Sequence, residues 1–133
     1  MNLKFLVSVV VMFVVSMVLG FVIHGTILHG EYAKLPALMR TEGDMQSHFG
    51  FLVFANVLFA IGFTWIYLKG REAKPWLAQG ARFGAAVAVM SVIPTYLINF
   101  TVMQFPSDLV AQQAVYDTIG PVISGVILAW LNR

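Results

Sequence analysis

The chain has 133 residues, of which 59% are hydrophobic and only 11% are charged, and its formal net charge is +2 at pH 7. A soluble domain typically has about 25% charged residues, so this composition indicates a protein whose apolar surface lies in a lipid bilayer. The small net charge gives no support for nucleic-acid binding, and the lack of cysteine excludes disulfides, iron–sulfur clusters and covalently attached haem.

Four apolar segments predict an all-α integral membrane protein. Each reaches the roughly 20 residues that a helix needs to cross the hydrocarbon core, and a helix satisfies its own backbone hydrogen bonds, as lipid requires. The predicted spans are residues 5–28, 49–68, 80–105 and 109–131. The first apolar run is longer than that of a signal peptide, so we expect it to be retained. We therefore predict one four-helix transmembrane bundle over residues 1–133.

The basic residues predict the orientation of this bundle. Lys and Arg are enriched in the cytoplasmic connections of membrane proteins. With four spans, two basic residues lie on one side of the membrane, Lys34 and Arg40. The other side holds Lys4, Lys69, Arg71, Lys74, Arg82 and Arg133. This bias predicts that both termini are cytoplasmic.

Small residues recur at helical spacing within the spans. Residues four apart share one face of a helix, and membrane helices approach each other closely through small side chains. Such stripes comprise Ser8, Ser16, Gly20 and His24 in the first span, Gly80, Gly84 and Ala88 in the third, and Gly120, Ser124 and Gly125 in the fourth. We predict that these faces pack the helices of one chain together; homodimerisation is the alternative.

Polar side chains in all four spans fall at a similar predicted depth, in the outer half of the bundle, at about 1.5 Å of rise per residue. The candidate site residues are Asp117, Asn99, His24, Tyr96, Asn56 and Gln113. Asp117 is the one carboxylate inside a predicted span, and we expect it to pair with His24, Asn99 or Tyr96. Two interpretations stay open: a hydrogen-bond network that fixes the helices, or a site for a ligand, proton or ion.

The three histidines raise the alternative of a metal or haem site. His29 and His48 bracket the connection between the first two spans, and His24 lies just before it. No pair of them has a recognised ligand spacing, because His24 and His29 are five residues apart rather than three or four. Non-covalent haem between His24 and His48 would need facing helices at matched depth. We therefore predict no cofactor and keep a metal ion or haem as alternatives.

The sequence contains none of the common catalytic motifs, neither a nucleophile elbow, a zinc-protease helix nor a phosphate-binding loop. With short connections and no soluble domain, it predicts a non-enzymatic inner-membrane protein. We expect an accessory or structural subunit whose partners are the bilayer and other membrane subunits. The alternative is a small transporter or ligand-binding membrane protein that uses the polar cluster around Asp117.

Three short segments resemble a family of small bacterial four-span membrane proteins catalogued as a domain of unknown function. The segments are Thr95-Tyr96-Leu97-Ile98-Asn99, Asp117-Thr118-Ile119-Gly120, and the end of the first span with Gly25, Tyr32 and Leu35. The stretch from Gly20 to His24 departs from the family pattern, which has an acidic residue and a tryptophan there. The resemblance implies four helices in a bacterial inner membrane, and it implies no activity.

Overall fold

The computed structural model describes residues 2–133, and within this range the secondary structure is helical, without strands. Contacts divide the chain into two compact units, Met1–Ile66 and Tyr67–Arg133. We call them unit 1 and unit 2. This division concerns packing inside each unit, so a single transmembrane domain over the whole chain stays a prediction.

Unit 1 contains two long helices and a connection with secondary structure of its own. The long helices are α1, Leu3–Val22, and α4, Phe49–Gly70, which belongs to unit 1 as far as Ile66. The connection holds two short helices, α2 at His29–Ala33 and α3 at Glu42–Ser47. Thr41 caps the N-terminus of α3, since its hydroxyl accepts a hydrogen bond from the backbone N–H of Asp44 at 3.3 Å.

Between α1 and α2 the helix widens into one π-helical turn, Ile23–Ile27. The N–H of Leu28 donates to the carbonyl of Ile23 at 2.8 Å, five residues earlier instead of four. Such turns insert an extra residue into an α-helix and recur at functional sites. The turn therefore changes which side chains share a face at the end of α1.

Unit 2 is dominated by direct backbone contact between two helices. It contains α5 (Trp76–Val87), a π-helical turn (Ala88–Val92), α6 (Ile93–Val102) and α7 (Ser107–Leu131). A Cβ on Gly84 would collide with the carbonyl group of Pro121, and one on Gly80 would lie 2.7 Å from the Cβ of Ala129. This geometry confirms, for Gly80, Gly84 and Gly125, the prediction that small residues pack helices within one chain.

The connection between α4 and α5, with the first residue of α5, contacts the last residues of the chain, Asn132 and Arg133. Arg71 donates through Nη1 to the backbone carbonyl of Asn132 at 2.6 Å. The guanidinium of Arg133 lies 5.4 Å from the ring centroid of Trp130 and 6.0 Å from that of Trp76, within the range of cation–π attraction. A hydrogen bond from Lys74 lowers the pKa of the neighbouring Glu72 carboxyl.

Among residues 2–133, four helical segments are long and apolar enough to cross a membrane, which is the predicted number of spans and fits a multi-pass membrane protein. They are Leu3–Ile27, Phe49–Gly70, Trp76–Val102 and Ser107–Leu131. The largest shift is in the third span, which begins at Trp76 instead of residue 80 and ends at Val102 instead of residue 105. It ends early because Met103 adopts an extended conformation, three residues before Pro106.

Candidate functional site

A cavity of about 1090 Å³ lies within unit 1. It is bounded by the end of α1, the π-helical turn, the connection with α2 and α3, and the first two turns of α4. Its walls are mostly apolar, and polar side chains are interspersed among them. We call it the unit 1 cavity. Concave, mainly apolar sites with a few polar groups are typical of small-molecule binding.

The small-residue stripe of α1 forms one wall of this cavity. Ser16, Gly20 and His24 all line it. A Cβ added to Gly20 would meet nothing within 4 Å, so this glycine adjoins open space instead of a helix backbone. Gly20 therefore does not pack against another helix, as was predicted for this part of the stripe. Its lack of a side chain leaves space in the cavity instead.

His24 is held against Tyr32 of α2. The imidazole Nδ1 and the phenol oxygen are 2.6 Å apart, and the two rings stack with centroids 5.9 Å apart and planes at 20°. Both residues line the unit 1 cavity. Sequence reasoning named His24 but did not name Tyr32 as its partner, because the π-helical turn between them cannot be read from residue spacing.

All three histidines of the chain line the unit 1 cavity. His24 and His29 are five residues apart, and His24 lies within the π-helical turn that precedes His29. The Nδ1 of His48 lies 2.8 Å from the backbone carbonyl of Asp44, at the end of α3. Among residues 2–133 no group of three His, Cys, Asp or Glu side chains is placed to hold a metal ion. Lining the same cavity therefore does not place the three histidines around one metal ion.

Opposite charges line the cavity close together in sequence, at Arg40 and Glu42. Arg40 donates through Nη1 to the carboxylate of Asp44 at 2.8 Å, one turn along. That hydrogen bond, assisted by the charges of Arg40 and His48, lowers the pKa of the Asp44 carboxyl. Both residues are exposed to solvent, so we call this group, Arg40 with Glu42, the charged mouth of the cavity.

Asn56 also lines the unit 1 cavity, from α4. Its amide nitrogen donates to the carbonyl of Leu52 at 2.9 Å, one turn earlier in the same helix. This bond satisfies part of the side chain locally. Asn56 and His24 thus line the same cavity, and Asn56 donates its N–H without needing a second helix.

In unit 2 the hydroxyl of Tyr96 donates a hydrogen bond to the carboxylate of Asp117, and both residues are half-buried. This joins α6 to α7 and confirms Tyr96 as a partner of Asp117. Gln113 is buried one turn before Asp117, and Asn99 is half-buried one turn after Tyr96. Pairing of Asp117 with His24 or Asn99 stays a prediction.

Comparisons with protein-family models, with curated proteins and with solved structures return no match. The resemblance to the small bacterial four-span family therefore stays a prediction. Function must be inferred from the unit 1 cavity and the Tyr96–Asp117 pair themselves.

Proposed function

We propose that this chain is a non-enzymatic, multi-pass protein of the bacterial inner membrane that binds an amphipathic small molecule in the unit 1 cavity. The observation that carries this proposal is the cavity itself, about 1090 Å³ and mostly apolar. Ligand sites commonly measure about 300–1,000 Å³, so the space suits a molecule of drug size or larger. Apolar walls favour a ligand that is itself largely apolar.

The order of residues along the cavity supports an amphipathic ligand. Ser16 to His24 covers about 12 Å of helix at 1.5 Å per residue, all of it within the first membrane-spanning segment. The charged mouth, at Arg40 and Glu42, lies beyond that segment in the connection. A ligand with an apolar body along α1 and a polar end at the mouth would match this gradient.

The excess of Lys and Arg beside the termini supports cytoplasmic termini and therefore an outward-facing cavity. On this orientation the ligand would reach the cavity from the periplasmic leaflet or the periplasm. Cysteines introduced at Glu31 and at Lys74 would test it by labelling with a membrane-impermeant maleimide in whole cells. We expect labelling at residue 31 and none at residue 74, and the reverse pattern would refute the orientation.

Filling the cavity tests the proposed binding. Gly20→Leu puts a large side chain in open space on the cavity wall. Gly62→Leu is the matched control, because Gly62 is also a helical glycine of unit 1 with nothing within 4 Å, and it does not line the cavity. After purification in mild detergent and organic extraction, mass spectrometry should find one amphipathic compound with the unmodified protein and with Gly62→Leu. Its persistence with Gly20→Leu would refute the proposal.

A second candidate function is the accessory subunit of a larger membrane assembly. The observation that favours it is a set of glycines in the long helices that lie outside the cavity lining and have no atom within 4 Å of an added Cβ: Gly50, Gly62, Gly70 and Gly120. Glycines in membrane helices commonly permit close approach of another helix. The mass of the gently solubilised particle tests this role. A monomer without any co-purifying protein would contradict it.

A further inference from the structure

The charged mouth of the unit 1 cavity offers both signs of charge to one ligand. Arg40 and Glu42 both line it, and their formal charges cancel. Asp44 is not in the lining and is directed at Arg40. A purely anionic head group would be attracted by Arg40 but repelled by Glu42. A purely cationic head group would be attracted by Glu42 but repelled by Arg40.

Arg40 can serve a ligand while it is bound to Asp44. The side chain is about half exposed, at 55%, and its Nη1 donates to Asp44. A guanidinium carries five N–H donors in a planar fork, so it can hold a carboxylate on one edge and a phosphate oxygen on another. Glu42, exposed in the first turn of α3, offers a carboxylate that accepts hydrogen bonds from an ammonium group.

The rest of the wall suits an acyl chain. Met17, Phe21 and Leu52 line the cavity at the depth of the membrane-spanning helices. Met39 and Met45 line it beside the mouth. Methionine is unbranched and flexible, so these side chains adapt to chains of different length and saturation. Along the chain, the lining residues begin with an apolar one in the first span, Met17, and reach a charged one in the connection, Arg40. A phospholipid in one leaflet likewise has its acyl chains in the membrane and its charged head group at the surface.

We propose that the ligand of the unit 1 cavity is a zwitterionic phospholipid. Its phosphate contacts Arg40, its ammonium group contacts Glu42, and an acyl chain lies along the α1 wall at Gly20. This assignment rests on the proposed ligand-binding function and adds the chemical class of the ligand. It predicts that the two charges have different effects on selectivity.

Binding of two lipids with identical acyl chains tests the assignment: phosphatidylethanolamine, which is zwitterionic, and phosphatidylglycerol, which is anionic. Native mass spectrometry of the detergent-solubilised protein gives both affinities. We expect a preference of about fivefold for the zwitterionic lipid, the upper range for exposed ion pairs. Glu42→Gln should abolish this preference, and Arg40→Gln should weaken both lipids by about fivefold because both carry the phosphate.

Asp44→Asn is the matched control for Arg40→Gln. It breaks the same Arg40–Asp44 ion pair but keeps the guanidinium in the cavity wall. We expect it to bind both lipids at least as tightly as the unmodified protein does, because Arg40 keeps its charge and loses a competing carboxylate. Soluble phosphoethanolamine should bind at least tenfold more weakly than the lipid, since each buried methylene of the acyl chain adds to affinity.

The outcomes separate this inference from the proposed function. If Gly20→Leu abolishes lipid binding but Glu42→Gln keeps the same preference between the lipids, the zwitterionic assignment is wrong and the binding cavity stands. If Gly20→Leu binds lipid normally, the lipid does not bind in the unit 1 cavity and the proposed function is wrong. If phosphoethanolamine binds as tightly as the lipid, the occupant is a soluble phosphate ester.

Discussion

The two units use glycines at the same helical spacing in opposite ways. In unit 2, Gly80 and Gly84 lie against the backbone of α7, with no room for a methyl group. In unit 1, Gly20 adjoins the unit 1 cavity and has nothing within 4 Å. The connections differ accordingly: only residues 103–106 separate α6 from α7, whereas two short helices fill the connection between α1 and α4. Small residues at helical spacing thus predict a smooth helix face, but they do not predict whether a helix backbone or a cavity lies against it.

The largest effect should come from adding one methyl group at the contact between α5 and α7. Gly84→Ala would collide with the carbonyl of Pro121, and relief requires the backbones to separate. We expect a loss of about 1–3 kcal/mol in the free energy of unfolding, as for other overpacked sites. Reversible unfolding in mixed micelles measures this. Gly120→Ala on α7 is the control, because its Cβ meets nothing within 4 Å. Equal stability of the two variants would show that the contact is not close-packed.

Besides the glycine contact between α5 and α7, the Tyr96–Asp117 hydrogen bond joins α6 to α7 in unit 2. Both residues make further interactions, so single substitutions would mix several losses. A double-mutant cycle with Tyr96→Phe and Asp117→Asn isolates the pair. We expect a coupling energy of about 0.6 kcal/mol, and at most about 1.7, as measured for hydrogen bonds between membrane helices. A coupling energy of zero would mean that the two side chains act independently.

The same methyl addition in unit 1 should have almost no effect on stability. Gly20→Ala places its Cβ in open space, so neither overpacking nor a lost contact follows. We expect the free energy of unfolding to change by less than about 0.5 kcal/mol. If Gly20→Ala lowered the free energy of unfolding as much as Gly84→Ala does, Gly20 would be close-packed like the glycines of unit 2.

The helices were predictable from the sequence because lipid imposes a simple requirement, about 20 apolar residues for each crossing. Span ends were less predictable, since helical hydrogen bonding continues past the apolar run, as at Trp76. Close packing of Gly80 and Gly84 against another helix of the chain was also predictable, because small residues four apart on a membrane helix permit close approach, but their spacing does not say that the partner is α7.

The unit 1 cavity was only partly predictable. The sequence placed His24 and Asn56 at one depth, but the grouping of His24, His29 and Tyr32 depends on the π-helical turn, which spacing rules for α-helices miss. Polar residues also carry an ambiguous signal. Thr101 and Thr118 donate to carbonyls of their own helices, so a polar residue in a span does not by itself indicate a partner on another helix.

The smallest expected effect concerns the charged connection of unit 1, where Arg40 pairs with Asp44. Arg40 lowers the pKa of Asp44 below its unfolded value of about 3.9. A carboxyl group whose pKa falls on folding stabilises the protein above the unfolded pKa, and this contribution is lost as pH falls through the folded pKa.

The difference in melting temperature between the unmodified protein and Asp44→Asn should therefore be small and positive at pH 7. It should shrink towards zero as pH falls through the folded pKa, when Asp44 becomes protonated and can no longer pair with Arg40 as a carboxylate. A difference that stays the same at every pH over an acid titration would assign the effect of Asp44→Asn to lost packing around α3, not to the ion pair. The lipid-binding comparison with Arg40→Gln would then need a control other than Asp44→Asn.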